Sequence, residues 1–138
     1  MNYKYKKPAI SEVEAPFLPI KIYNEPKKAA YPPKESVEAL IDTGYDGYLI
    51  IPTKIFYDLK LNSSRIPQDQ VLKAETITGD NLELITAFGH LELPDLNLIF
   101  AIEIDTTTHC SEILIGRRLL ENLIIRLNGP KKELRVEL

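Results

Sequence analysis

The chemistry this chain can offer is concentrated in one carboxylate and its neighbours, Asp42-Thr43-Gly44. Apolar residues stand on both sides, Ala39-Leu40-Ile41 before it and Tyr48-Leu49-Ile50-Ile51 after it. The pattern predicts a strand, a tight turn and a second strand. A carboxylate at such a break is held by the strand beneath it and projects from the rim. Gly44 lets the backbone turn sharply and leaves room for a close approach. Thr43 brings a hydroxyl that can bond to backbone and pin the turn. The same three residue types also make ordinary surface turns. What sets this turn apart is the apolar strand on each side, which a plain surface turn does not need.

A second run carries the argument further: Ile113-Leu114-Ile115-Gly116-Arg117, followed by Leu119, Leu120 and Leu123 at helical spacing. Together the two runs resemble the retropepsin-like aspartic peptidases, the family of the retroviral proteases and their cellular relatives. The shared pieces are an apolar pair before Asp42-Thr43-Gly44, an Asp two residues beyond that Gly (Asp46), and Ile113 to Arg117 ahead of a Leu-Leu helix. The resemblance covers the chain from about Phe17 onward. It implies an all-β, closed barrel-like fold with one or two short helices.

One carboxylate cannot hydrolyse a peptide bond in this way. One group must take a proton from water while another gives one to the amide. Two aspartates about 3 Å apart cannot both ionise, so they share a proton and supply both roles. The chain has a single Asp-Thr-Gly. The resemblance therefore implies a homodimer with Asp42 and its mate at the two-fold axis, acting as an endopeptidase on a polypeptide substrate. Thr43 would lock the two turns, and Gly44 would present a carbonyl to the substrate chain. Asp46 and Arg117 match the family positions where a carboxylate and an arginine pair beneath the site, a role the forked guanidinium suits; two unrelated surface charges are the alternative. Thr78, Gly79 and Asp80 stand where the family has its flap, a hairpin closing over bound peptide, although a plain surface hairpin reads the same. No metal or organic cofactor is required. Tyr45 departs from the family, in which a small residue follows the Gly; its ring could fill the cleft or alter the subunit contact. A dimeric peptide-binding or scaffold module with little turnover is the alternative function.

At 138 residues the chain is long enough to bury a core as one domain. Seventeen basic against 20 acidic residues leave a net charge of −3, and no basic excess points to nucleic acid. No apolar run is long enough to cross a membrane. Cys110 is alone, so no disulfide can form within the chain, in keeping with a cytoplasmic protein. His109 and Cys110 are adjacent, but only His90 is left to join them as ligand or base, so structural roles are expected for all three.

Around the site, the predicted elements are a loose arm over residues 1–14, a first strand from Phe17 to Tyr23 and an exposed loop from Asn24 to Ser36. A short helix from Thr53 to Leu59 follows the site strands. Next come a long hairpin spanning Val71 to Phe88, a strand from His90 to Leu93 and an alternating strand over residues 96–104. Asp105 to Thr108 reads as a loop. After a helix from about Arg117 to Asn122, a hairpin over residues 124–138 closes the chain and could build a dimer sheet.

Overall fold

The computed structural model describes residues 1–64, 66, 74–75, 81–82 and 84–137. Its strands in chain order are β1 (Asn2–Lys4), β2 (Phe17–Asn24), β3 (Ala29–Tyr31), β4 (Val37–Ile41), β5 (Leu49–Ile51), β6 (Ala74–Glu75), β7 (Asn81–Leu82), β8 (Ile85–Leu93), β9 (Leu98–Thr106), β10 (Leu114–Ile115), β11 (Ile124–Asn128) and β12 (Glu133–Glu137). Helix α1 (Thr53–Asp58) follows β5, and α2 (Arg117–Leu120) follows β10.

Seven strands form one sheet in the order β3-β2-β4-β10-β5-β9-β8, and β2 also pairs with β8. That last pairing closes a barrel of six strands, with β3 flanking it. Closure removes the free edges that an open sheet would present. The expected all-β closed fold with two short helices is what the chain adopts.

The barrel is filled because its strands alternate. Along β2, Leu18, Ile20 and Ile22 point inward and are essentially sealed from water. Ala39 and Ile41 of β4, Leu49 and Ile51 of β5, Ala87 and Leu91 of β8, Ile102 and Ile104 of β9, and Ile115 of β10 complete the interior, which Phe56 of α1 and Leu119 of α2 plug. Period-two alternation places one set of side chains on one face, so each inward residue has a neighbour on the opposite face. Those neighbours matter for the site.

Several elements differ from the sequence expectations. The expected strand, turn and strand are present as β4, the Asp42 turn and β5, but the two strands are not neighbours: β10 lies between them, parallel to β4 (Leu114 opposite Leu40) and antiparallel to β5 (Leu114 opposite Ile50). The turn carrying Asp42 must therefore bridge across the end of β10. Residues 85–93 form one continuous strand, paired with β9 from Ile85–Thr106 to Leu93–Leu98. Strand β9 itself runs through Asp105 and Thr106, where a loop was expected. The arm is not loose at its start, since β1 pairs with β12 and Lys6 bridges to Ala15. Strands β1, β12 and β11 make a three-stranded sheet. Its Leu134 and Val136 are buried against the barrel, and the Tyr3 hydroxyl donates to Asp95 at 3.1 Å. Burial and the Asp95 carboxylate push the Tyr3 phenol up to about 12. The hairpin survives as a short β6–β7 ladder, with Ala74 opposite Leu82. Thr78, Gly79 and Asp80 lie outside the described residues.

Candidate active site

Asp42 sits at the C-terminal end of β4, half-buried, with Thr43 and Gly44 exposed beyond it. Its position is fixed at two points. Its backbone N–H donates to the Ile115 carbonyl at 2.9 Å, continuing the β4–β10 ladder by one residue. Its side-chain Oδ1 accepts the Gly44 N–H at 2.9 Å, a turn bond that points the carboxylate back over its own loop. A Cβ added at Gly44 would lie 3.2 Å from that same oxygen. A side chain at Gly44 would therefore crowd the Asp42 carboxylate.

The loop is laced to the segment leaving β10. Gly116 N–H donates to the Tyr48 carbonyl at 3.0 Å, Arg117 N–H to the Tyr45 carbonyl at 2.8 Å, and Arg118 N–H to the Gly47 carbonyl at 3.1 Å. Three consecutive donors at the start of α2 are free because a helix leaves its first N–H groups unpaired; here they hold the Asp42 loop. The close crossing explains Gly116. A Cβ there would overlap the Gly47 carbonyl and stand 2.6 Å from the Tyr45 ring and 2.7 Å from the Tyr45 carbonyl.

The turn carrying Asp42, Thr43, Gly44 and Asp46 is therefore joined to Arg117 through backbone, by the Arg117 N–H bond to the Tyr45 carbonyl. Asp46 and Arg117 are both exposed, and among the described residues the ion pairs do not include one between them. Arg118, the next residue, lies over the Tyr48 ring at 5.8 Å.

A buried polar cluster beside the loop was not foreseen. Tyr45 turns inward and is 8% exposed. Its ring packs with Ile50 and Leu84, against Cys110 and Leu114. Its hydroxyl donates to Asp105 Oδ2. The other oxygen, Oδ1, accepts the Thr86 hydroxyl at 2.6 Å. Asp105 and Thr86 are cross-strand partners, and Asp105 also faces Ile50 of β5. These residues occupy the face of β5, β8, β9 and β10 opposite the barrel interior. Desolvation pushes the Asp105 carboxyl above its ordinary range, partly offset by the two hydroxyl donors, while Glu103 and Asp46 push it further up. Desolvation and the Asp105 charge push the Tyr45 phenol up strongly. The available signal was the alternation running from Leu96 to Ile104. Extended by one residue, it puts Asp105 on the strand and on the face away from Ile104.

His109 is exposed, and the half-buried Cys110 thiol donates to the Glu112 carbonyl at 3.0 Å. Burial raises the Cys110 pKa, leaving it a poor nucleophile. Among the described residues no cluster of three or more His, Cys, Asp or Glu side chains is placed to hold a metal. None of the helices described is long and apolar enough to cross a membrane.

No family model matches the chain. An uncharacterised protein from Archaeoglobus fulgidus is 29% identical over 114 residues, which is 82% of this chain and 86% of that protein. Two solved structures share the architecture. A retropepsin-like aspartic protease from Rickettsia conorii superposes with a TM-score of 0.55 at 10% identity, over 100% of this chain and 94% of the other. An inhibitor complex of EIAV protease gives a TM-score of 0.53 at 15% identity, over 85% of this chain and 93% of the other. At such identities the shared property is the fold: this chain has the fold of the retropepsin-like aspartic proteases.

Proposed function

We propose that the protein is an aspartic endopeptidase, active as a homodimer in which Asp42 of each copy supplies half of the catalytic pair. The observation that carries this reading is the placing of Asp42. In a retropepsin-like barrel it sits at the rim, oriented by Gly44 N–H and tied to β10 through Ile115, on a loop laced to the Gly116–Arg118 segment. That is a carboxylate held for chemistry on an otherwise exposed turn.

The mechanism follows from the pairing. Two carboxyl groups about 3 Å apart share one proton, so one is ionised and the other neutral. The ionised group takes a proton from a water held between them as that water attacks the scissile carbonyl. The neutral group protonates the oxygen, and proton return to the amide nitrogen releases the amine. Both steps belong to the pair, which titrates as a unit. Thr43 of each copy locks the two turns together, and the Gly44 carbonyl accepts a hydrogen bond from the extended substrate backbone. To the segment of Thr78, Gly79 and Asp80, between β6 and β7, we assign the role of a flap that covers the peptide and excludes water. No cofactor enters any step.

The test is cleavage of an unstructured protein at mildly acidic pH by wild type and Asp42→Asn, with the oligomeric state of both measured. The expected outcome is a bell-shaped pH profile for wild type and a loss of about a thousandfold or more for a dimeric Asp42→Asn. Equal rates for the two proteins would discard the reading.

A further inference from the structure

The turn that carries Asp42 is held by backbone bonds, but it has few buried side chains at its tip. Thr43, Gly44 and Asp46 are all exposed, and the Tyr45 N–H bond to the Asp42 carbonyl is long, at 3.3 Å. From Asp42 to Asp46, one side chain goes fully inward, that of Tyr45. It crosses to the far end of β9 and gives its hydroxyl to Asp105, sixty residues along the chain.

We infer that Asp105 is a positioning residue for the candidate catalytic loop, holding the Asp42 turn in register through the buried Tyr45 hydroxyl; the catalytic meaning of this rests on the peptidase reading above.

Three observations carry it. First, the Asp105 carboxylate is used on both oxygens, one by Tyr45 and one by Thr86, so it has a fixed orientation. Second, it stands between paired strands, with Thr86 of β8 on one side and Ile50 of β5 on the other. An anchor there moves only if the barrel wall moves. Third, the ring is clasped along its length. Added Cβ atoms at Gly47 and Gly116 would come within 2.6 Å of it, and its backbone carbonyl takes the Arg117 N–H at 2.8 Å. A displacement of the ring therefore reaches both the Asp42 turn and the start of α2.

The chemistry points the same way. A carboxyl group this buried is costly, and an apolar pair of similar shape would fill the space at little loss of stability. What an apolar pair would lose is the directional bond. The exposed Asp46 and Arg117 side chains form no ion pair with each other among the described residues, so the side-chain bracing of the loop falls to the buried bond, beside the backbone bonds from Gly116, Arg117 and Arg118.

The experiment compares wild type, Tyr45→Phe, Asp105→Asn and the double variant, as dimers. Amide hydrogen exchange reads the loop without any substrate. Both single variants are expected to speed exchange at Tyr45 and Arg117 by about tenfold or more, while amides within β8 and β9 keep their wild-type rates. In the cleavage assay kcat falls by about tenfold with KM within about twofold, and the double variant is no worse than the poorer single one. Unchanged exchange at Arg117 would overturn the inference. So would a rise shared equally by β8 and β9, since that is what a purely structural cluster gives. If Asp42→Asn cleaves as fast as wild type, the peptidase reading fails, and exchange still decides the anchoring on its own.

Discussion

Asp105 brings a carboxyl group to a place where only 8% of its surface meets water, and the protein holds its proton more tightly than the unfolded chain does. The sign of the linkage is then set. Between the ordinary carboxylate value of 3.8 and the raised folded value, the unfolded chain releases a proton that the native state keeps. Stability attributable to this group therefore falls as pH rises through that window and is level above it. Asp105→Asn has no proton to lose. Its melting temperature relative to wild type is expected to move in the variant's favour as pH rises from 3.8, then to plateau; thermal denaturation across pH checks this. A constant difference at every pH would contradict it. At this scale the sequence disclosed Asp42, Thr43 and Gly44, because a polar break between apolar strands is a local pattern. It did not disclose the Tyr45–Asp105 contact. Asp105 is a residue type depleted in strands, and the partners that make it a strand residue, Thr86 and Ile50, are far away in the chain.

Strand β10 is two residues long, yet it decides how the site is built. By entering between β4 and β5 it forces the Asp42 turn to pass over its end, and Gly116 is where the two segments meet. Gly116→Ala would drive a methyl group into the Gly47 carbonyl and the Tyr45 ring. Backbone cannot swing aside as a side chain can, so the cost is expected at or above the upper end of ordinary overpacking, about 3 kcal/mol. Chemical denaturation measures it; a loss under about 1 kcal/mol would mean that the crossing is looser than described. The apolar run at Ile113 to Ile115 and the helix after it were legible, because each has its own periodicity. The insertion was not, since hydrophobic patterning specifies which face of a strand is buried and is silent on its neighbours. For the same reason the first residues read as a loose arm. Asn2-Tyr3-Lys4 is polar, and its pairing with Glu133 to Arg135 joins opposite ends of the chain.

For the molecule as a whole, the barrel supplies rigidity and one carboxylate, and the proposed reaction needs two. Subunit mixing tests this dependence. In a dimer that exchanges freely, adding an equal amount of Asp42→Asn protein should lower the activity per wild-type copy to about half, because about half of those copies then face an inactive mate. Activity per wild-type copy that ignores the variant would mean that each chain works alone. All-β closure was legible from the resemblance of two motifs, whereas the second copy is a requirement of the proposed reaction, inferred from counting carboxylates. The most direct measurement is an experimental structure of the assembled protein, read at one distance. The account predicts a two-fold pair with the Asp42 carboxylates about 3 Å apart. A monomer, or a dimer that leaves these two groups on separate outer faces, would contradict it.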